Sequence, residues 1–132
     1  MDERLEEAIE SEIHQINGGA FHAALAGGGA AFTFAGDRAT ALKQVVAAYK
    51  INQITDVYLE SHLECGAYGL AGVTFTDRTA EIARLHDDLE AAKTTILAAL
   101  AEAGAPTGAV TVHTAVVDFK GNHLDRPVLT AA

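Results

Sequence analysis

One apolar row runs through the middle of this chain: Ile82, Leu85, Leu89, Ala92, Ile96 and Leu100 recur every three or four residues. That repeat is one face of a helix. It predicts a helix from about Asp77, a good N-cap, to about Ala103, where Gly104-Ala105-Pro106 stops it. Before the row lies Ile54-Thr55-Asp56-Val57-Tyr58-Leu59, rich in β-branched and aromatic residues and bounded by turn formers. A second strand is predicted after it, from Val110 to Phe119, closed by the turn Lys120-Gly121-Asn122. Strands alternating with helices imply a largely parallel sheet. The expected class is therefore α/β, a mostly parallel sheet flanked by helices. In such sheets ligands bind beyond the carboxyl ends of the strands.

The rest of the chain continues the alternation. Leu5, Ala8, Ile9, Ile13 and Ile16 mark a first helix, with Glu6, Glu7, Glu10 and Glu12 on its other face and Asn17-Gly18-Gly19 at its end. Acidic residues in its first turns suit the positive end of the helix dipole. Ala20 to Leu25 is a plausible short buried strand, and Ala26-Gly27-Gly28-Gly29 follows it. Ala30 to Phe34 is apolar with no clear period, and a helix is expected from Ala39 to Lys50, presenting Leu42, Val45, Val46 and Tyr49. The tail from His123 to Ala132 carries little signal.

At 132 residues the chain reads as one domain, 1–132, and 49% apolar content suffices for a core. Nine basic against eighteen acidic residues give a net charge of −9. Nucleic acid is not an expected partner, since phosphate binding needs clustered Lys and Arg, and an anionic membrane surface is disfavoured for the same reason. No apolar run approaches the roughly 20 residues of a membrane span. Met1-Asp2-Glu3-Arg4 does not open a signal peptide, so a cytoplasmic location is expected. Cys65 is the single cysteine. No intramolecular disulfide and no all-cysteine metal site can form from it.

Directly after the first central strand stand His62 and Cys65, three residues apart. In a tight turn both side chains can face one point, and zinc accepts imidazole nitrogen and thiolate sulfur. The same pair also suits a satisfied buried histidine beside a small apolar cysteine. Asp2 and Arg4 form a second pair. They read either as a solvated helix start or as a carboxylate held by a guanidinium fork, oriented to accept a hydrogen bond from a metal-bound water. Gly27-Gly28-Gly29 lacks both the G-x-G-x-x-G spacing and a following P-loop lysine. It reads better as a loop that lets neighbouring elements pack closely. His22, His86 and His113 fall on predicted regular elements and read as structural, although His22 could also face the cleft. No nucleophile-elbow motif supports a Ser-His-Asp system.

Taken together, these pieces resemble the β-class carbonic anhydrases. Met1-Asp2-Glu3-Arg4 matches that family's Cys-x-Asp-x-Arg motif from its second position onward, and Gly18 to Gly28 is similar to its second block. His62-Leu63-Glu64-Cys65-Gly66 matches His-x-x-Cys-Gly, and Val117 to Leu124 echoes the last core strand. The four blocks occur in family order and cover nearly the whole chain. The resemblance implies a carbonic-anhydrase-like fold and zinc as cofactor, with His62 and Cys65 as two of its three protein ligands. It implies reversible hydration of carbon dioxide to bicarbonate, with zinc-bound hydroxide as nucleophile. Asp2 would accept the hydrogen bond of that water, or take the fourth zinc position at rest, and Arg4 would hold Asp2. An apolar cleft including Phe21 and Tyr68 would admit the gas, and a homodimer or higher homo-oligomer is the implied assembly.

The departures are specific. The family's first ligand cysteine and the strand before it would precede Met1, and Ala24-Leu25 replaces an Arg-Asn pair. The match begins in mid-motif with Asp2 and Arg4 retained, so the expectation is an active enzyme begun at an internal methionine. A metal-deficient module acting as an oligomer or partner subunit is the alternative. Hydrolysis of sulfur-containing analogues of carbon dioxide is a further one, because only tunnel shape would differ.

Overall fold

The structure, a computed structural model, describes residues 28–34 and 36–128. Helix α1 is Arg38–Asn52, strand β1 Asp56–His62, helix α2 Gly66–Leu70, helix α3 Arg78–Glu102 and strand β2 Thr111–Val117. A 3-10 helix, Gly28–Phe32, precedes them. The strands pair in parallel, from Asp56 opposite Thr111 to His62 opposite Val117, with α3 as the crossover between them. This is the mixed, parallel α/β arrangement expected from the alternation of strand and helix. The predicted first helix and the strand 20–25 lie outside the described residues.

Helix α3 starts and stops as its sequence dictates. The Asp77 side chain accepts the Ala80 N–H at 2.8 Å, satisfying one of the donors a helix start leaves over. At the other end Gly104 adopts φ +94°, Ala105 N–H bonds the Leu100 carbonyl and Gly104 N–H bonds that of Ala101. This double bond pattern is a Schellman ending. Leu85, Leu89, Ala92, Ile96 and Leu100 are buried along the helix as predicted. Its first turn departs from expectation: Glu81 is buried and Ile82 only half-buried. The reason lies in what Glu81 touches, described below.

Leu59, Ser61, Val112 and Val116 are buried on the face of the strand pair that meets α3. Strand β1 starts and ends later than its apolar run suggests. The polar Glu60, Ser61 and His62 continue the ladder opposite Ala115, Val116 and Val117. Ser61 can be buried there because its Oγ accepts the Gly29 N–H at 3.2 Å. A Cβ at Gly28 would run into the Glu60 carbonyl oxygen, and one at Gly29 into Leu89. Gly28 and Gly29 of that run therefore serve close packing against β1 and α3.

Helix α1 sits at the margin of the core, with Ala41 its only fully buried residue. Leu42, Val45 and Tyr49 pack half-buried against the core, while Ile51 is exposed. The weakly patterned tail is tied down: Leu124 N–H bonds the Val116 carbonyl, His86 donates from Nε2 to the Leu124 carbonyl, and Arg126 pairs with Asp87. Among the described residues no helix is long and apolar enough to cross a membrane.

Candidate metal centre

His62 is the last residue of β1, and Cys65 sits in extended conformation (φ −69°, ψ 116°) as the residue before α2. The structure therefore places the histidine on the strand rather than beyond it. The two residues occupy the carboxyl end of a parallel strand, the position where α/β folds carry their ligands.

Several contacts fix the shape of the connection. Nδ1 of His62 lies 2.7 Å from the Leu63 carbonyl oxygen. A carbonyl can only accept, so Nδ1 carries the hydrogen, and a neutral ring so bonded would have its lone pair at Nε2. Imidazoles that ligate metals are held in this way, by donating their other N–H to a carbonyl or carboxylate. The ring also rests against Phe119, centroids 5.9 Å apart. Between the pair, Leu63 is buried and its N–H bonds the Val117 carbonyl at 3.3 Å, while Glu64 adopts the left-handed conformation, φ +55°. Glu64 is exposed and is not glycine, so this turn keeps a backbone geometry that L-residues rarely adopt.

The Glu64 N–H donates to Oε1 of Glu81, which comes from the first turn of α3 and is 7% exposed. Arg78 reaches both carboxylates, 3.9 Å from Glu64 and 3.7 Å from Glu81. Helix α2 is anchored to α3 as well. The Tyr68 hydroxyl donates to Asp88 at 2.7 Å, and Arg84 Nε holds both Asp88 oxygens at 3.1 Å. Burial and the Asp88 carboxylate push the Tyr68 phenol far above its ordinary range. Its ring is packed between Phe34 and Phe75, with centroids 5.5 Å away on either side. Tyr68 is thus a core residue with an occupied hydroxyl, and not part of an open cleft.

Asp2, Arg4, Phe21 and His22 lie outside the described residues. Among the described residues, no group of three or more His, Cys, Asp or Glu side chains converges as a metal cage. His62 and Cys65 supply two donors of the types zinc prefers, on one short connection, with the imidazole already in the ligating tautomer. The two donor types are ones zinc accepts, and no third ligand stands with them among the described residues.

The opposite face of the strand pair carries a second polar group. Tyr58 stacks on His113 (centroids 4.6 Å, planes 14° apart), and His113 Nε2 bonds Asp56 at 2.8 Å. They border a shallow cavity of about 140 Å³ that also meets Glu60, Thr114 and His123. The His113 bond, with that of Thr55, keeps the Asp56 carboxyl below its usual range.

Glu81 is the residue that sequence reasoning missed. It stands four positions before Leu85, on the buried row itself, so a carboxylate interrupting an apolar stripe was the available signal. Compared with known protein families, curated proteins and solved structures, the chain matches none of them.

Proposed function

We propose that this chain is a zinc-dependent enzyme of the β-carbonic-anhydrase type, hydrating carbon dioxide reversibly to bicarbonate in the cytoplasm as a homodimer or higher homo-oligomer. The observation that carries the reading is the His62–Leu63 hydrogen bond, which presents a ligating tautomer at the carboxyl end of a parallel strand, three residues before the only cysteine. The parallel pairing of β1 and β2 around α3 is consistent with that fold.

In this reading His62 binds through Nε2 and Cys65 through Sγ. Zinc, when bound, supplies Lewis-acid activation of water toward the carbon of carbon dioxide. Asp2 accepts a hydrogen bond from the attacking water, which aligns it, and Arg4 holds Asp2 in place. Leu63 contributes its carbonyl, which restrains rotation of the His62 ring through Nδ1. Phe119 limits the ring from the side.

The test is a zinc count on purified protein together with stopped-flow carbon dioxide hydration. Stoichiometric zinc and hydration above buffer, both lost in His62→Ala and Cys65→Ser, are expected. Less than about half an equivalent of zinc, with no hydration, rejects the reading. That outcome leaves the family-fold module as a partner or oligomer subunit, for which Cys65 being the only cysteine is the supporting observation.

A further inference from the structure

Between its two candidate ligands the chain passes through a left-handed glutamate, and the group holding that residue comes from α3. Glu64 donates its N–H to Glu81, whose carboxylate is buried on the apolar row of the helix. A buried carboxylate is costly unless hydrogen-bonded. Here the Glu64 N–H and the Arg78 guanidinium supply the compensation, and the first turn of α3 lends the positive end of its dipole. The hydrogen bond from Glu64 is charge-assisted, the stronger kind. Four residues further on, Tyr68 is bound by Asp88 of the same helix. Cys65 is thus bracketed by two attachments to α3, at Glu64 and at Tyr68.

We propose that Glu81 is a positioning residue: by holding the Glu64 N–H it fixes the placement of Cys65 relative to His62, and through them the zinc affinity of the pair. The zinc half of this inference rests on the function proposed above. The loop half does not, because it concerns the geometry of residues 62–65 without metal.

The experiment compares four proteins: wild type, Glu81→Leu, Glu81→Gln and Ile96→Val. The last is a control for mild loss of α3 packing away from the loop. Glutamine retains an oxygen that can accept from Glu64, whereas leucine fills the space and accepts nothing. Two measurements use zinc-free protein, the amide exchange of Glu64 and the alkylation rate of Cys65 by iodoacetamide. A third is zinc affinity, read by competition with a chromophoric chelator. Glu81→Leu is expected to raise Glu64 exchange and Cys65 alkylation about tenfold, as a lost charge-assisted hydrogen bond implies. Zinc affinity should fall by about tenfold to a hundredfold, as for other groups that orient metal ligands. Glu81→Gln, which keeps an acceptor but not the charge, should shift all three clearly less than Glu81→Leu, and Ile96→Val should leave them unchanged. Glu81→Ala replaces the leucine variant if that variant does not fold.

Unchanged Glu64 exchange and Cys65 alkylation in Glu81→Leu would overturn the proposal, as would equal effects in Glu81→Gln or Ile96→Val. Absence of zinc from wild type refutes the zinc reading separately, and the metal-free measurements still decide whether Glu81 holds the loop.

Discussion

The carboxyl ends of the two parallel strands solve the same problem in different ways. Each strand leaves the sheet through a turn containing one left-handed residue, and each turn is held by a carboxylate that accepts backbone N–H groups. After β2 the device is local. Asp118 accepts from Lys120 N–H at 2.8 Å, Asn122 N–H at 2.9 Å and the Asn122 side chain at 3.0 Å, and the left-handed position is Gly121. After β1 the carboxylate comes from Glu81, seventeen residues along, and the left-handed position is Glu64. A glycine turn stapled by its own aspartate draws these hydrogen bonds from within the turn. A glutamate held left-handed by a buried carboxylate depends on α3 being docked. Non-glycine residues in such conformations persist where surrounding structure over-determines them, and they gather at functional positions. The dependent turn is the one that carries His62 and Cys65.

The largest expected effect comes from loosening the element on which that dependence rests. Leu89 is fully buried in the middle of α3 and touches the space beside Gly29. Leu89→Ala should cost about 2–5 kcal/mol in denaturant unfolding. In hydrogen exchange under native conditions, Glu64 should lose protection along with the core, while the Asp118 turn, whose hydrogen bonds are local, changes little. Equal loss at both turns would show that the second is no more independent than the first.

The same contrast explains what could be read from the sequence. The turn Lys120-Gly121-Asn122 was legible because its residues are contiguous, although Asp118 and Phe119 were assigned to the strand, which ends at Val117. Helix α3, its Asp77 cap and its Gly104 ending were legible for the same reason. The end of β1 was not, because Glu60, Ser61 and His62 look like a loop until β2 pairs with them. The pairing of Glu81 with Glu64 joins residues that no local pattern connects, and the periodicity showed only a carboxylate where an apolar residue was due. His62 and Cys65 were found by residue type and spacing. The tautomer that suits His62 to a metal required the Leu63 carbonyl to be in place.

Exchanging the glycine and non-glycine choices tests the comparison at smaller amplitude. Gly121→Ala puts a Cβ on a residue at φ +79° and should destabilise by about 1–2 kcal/mol. Glu64→Gly should do the opposite, since it relieves the left-handed penalty. The gain should be only about 0.5–1 kcal/mol, because glycine is also more flexible in the unfolded chain and the exposed Arg78 contact is lost. Thermal unfolding measures both. If Glu64→Gly destabilises, the Glu64 side chain contributes more than its conformation costs, and the turn is not strained in the sense drawn here.

Acid gives the smallest expected effect, and at the local turn it acts through Asp118. The hydrogen bonds from the Asn122 side chain and backbone, and then from Lys120, hold the Asp118 carboxyl below the ordinary aspartate value it has in the unfolded chain. The folded state therefore binds fewer protons than the unfolded state between those two pKa values, and stability must rise with pH across that window. The contribution is complete above the unfolded value and disappears as pH falls through the folded one. Asp56, held low by His113 on the outer face of the sheet, adds a contribution of the same sign. Asp118→Asn keeps an acceptor oxygen at the turn but removes the titration. Its melting temperature should therefore fall less steeply than that of wild type between about pH 5 and pH 2, with the remaining slope reduced further by Asp56→Asn. Parallel acid profiles for wild type and Asp118→Asn would mean that the β2 turn is not held by its own carboxylate, and the contrast between a self-contained turn and a dependent one would have to be abandoned.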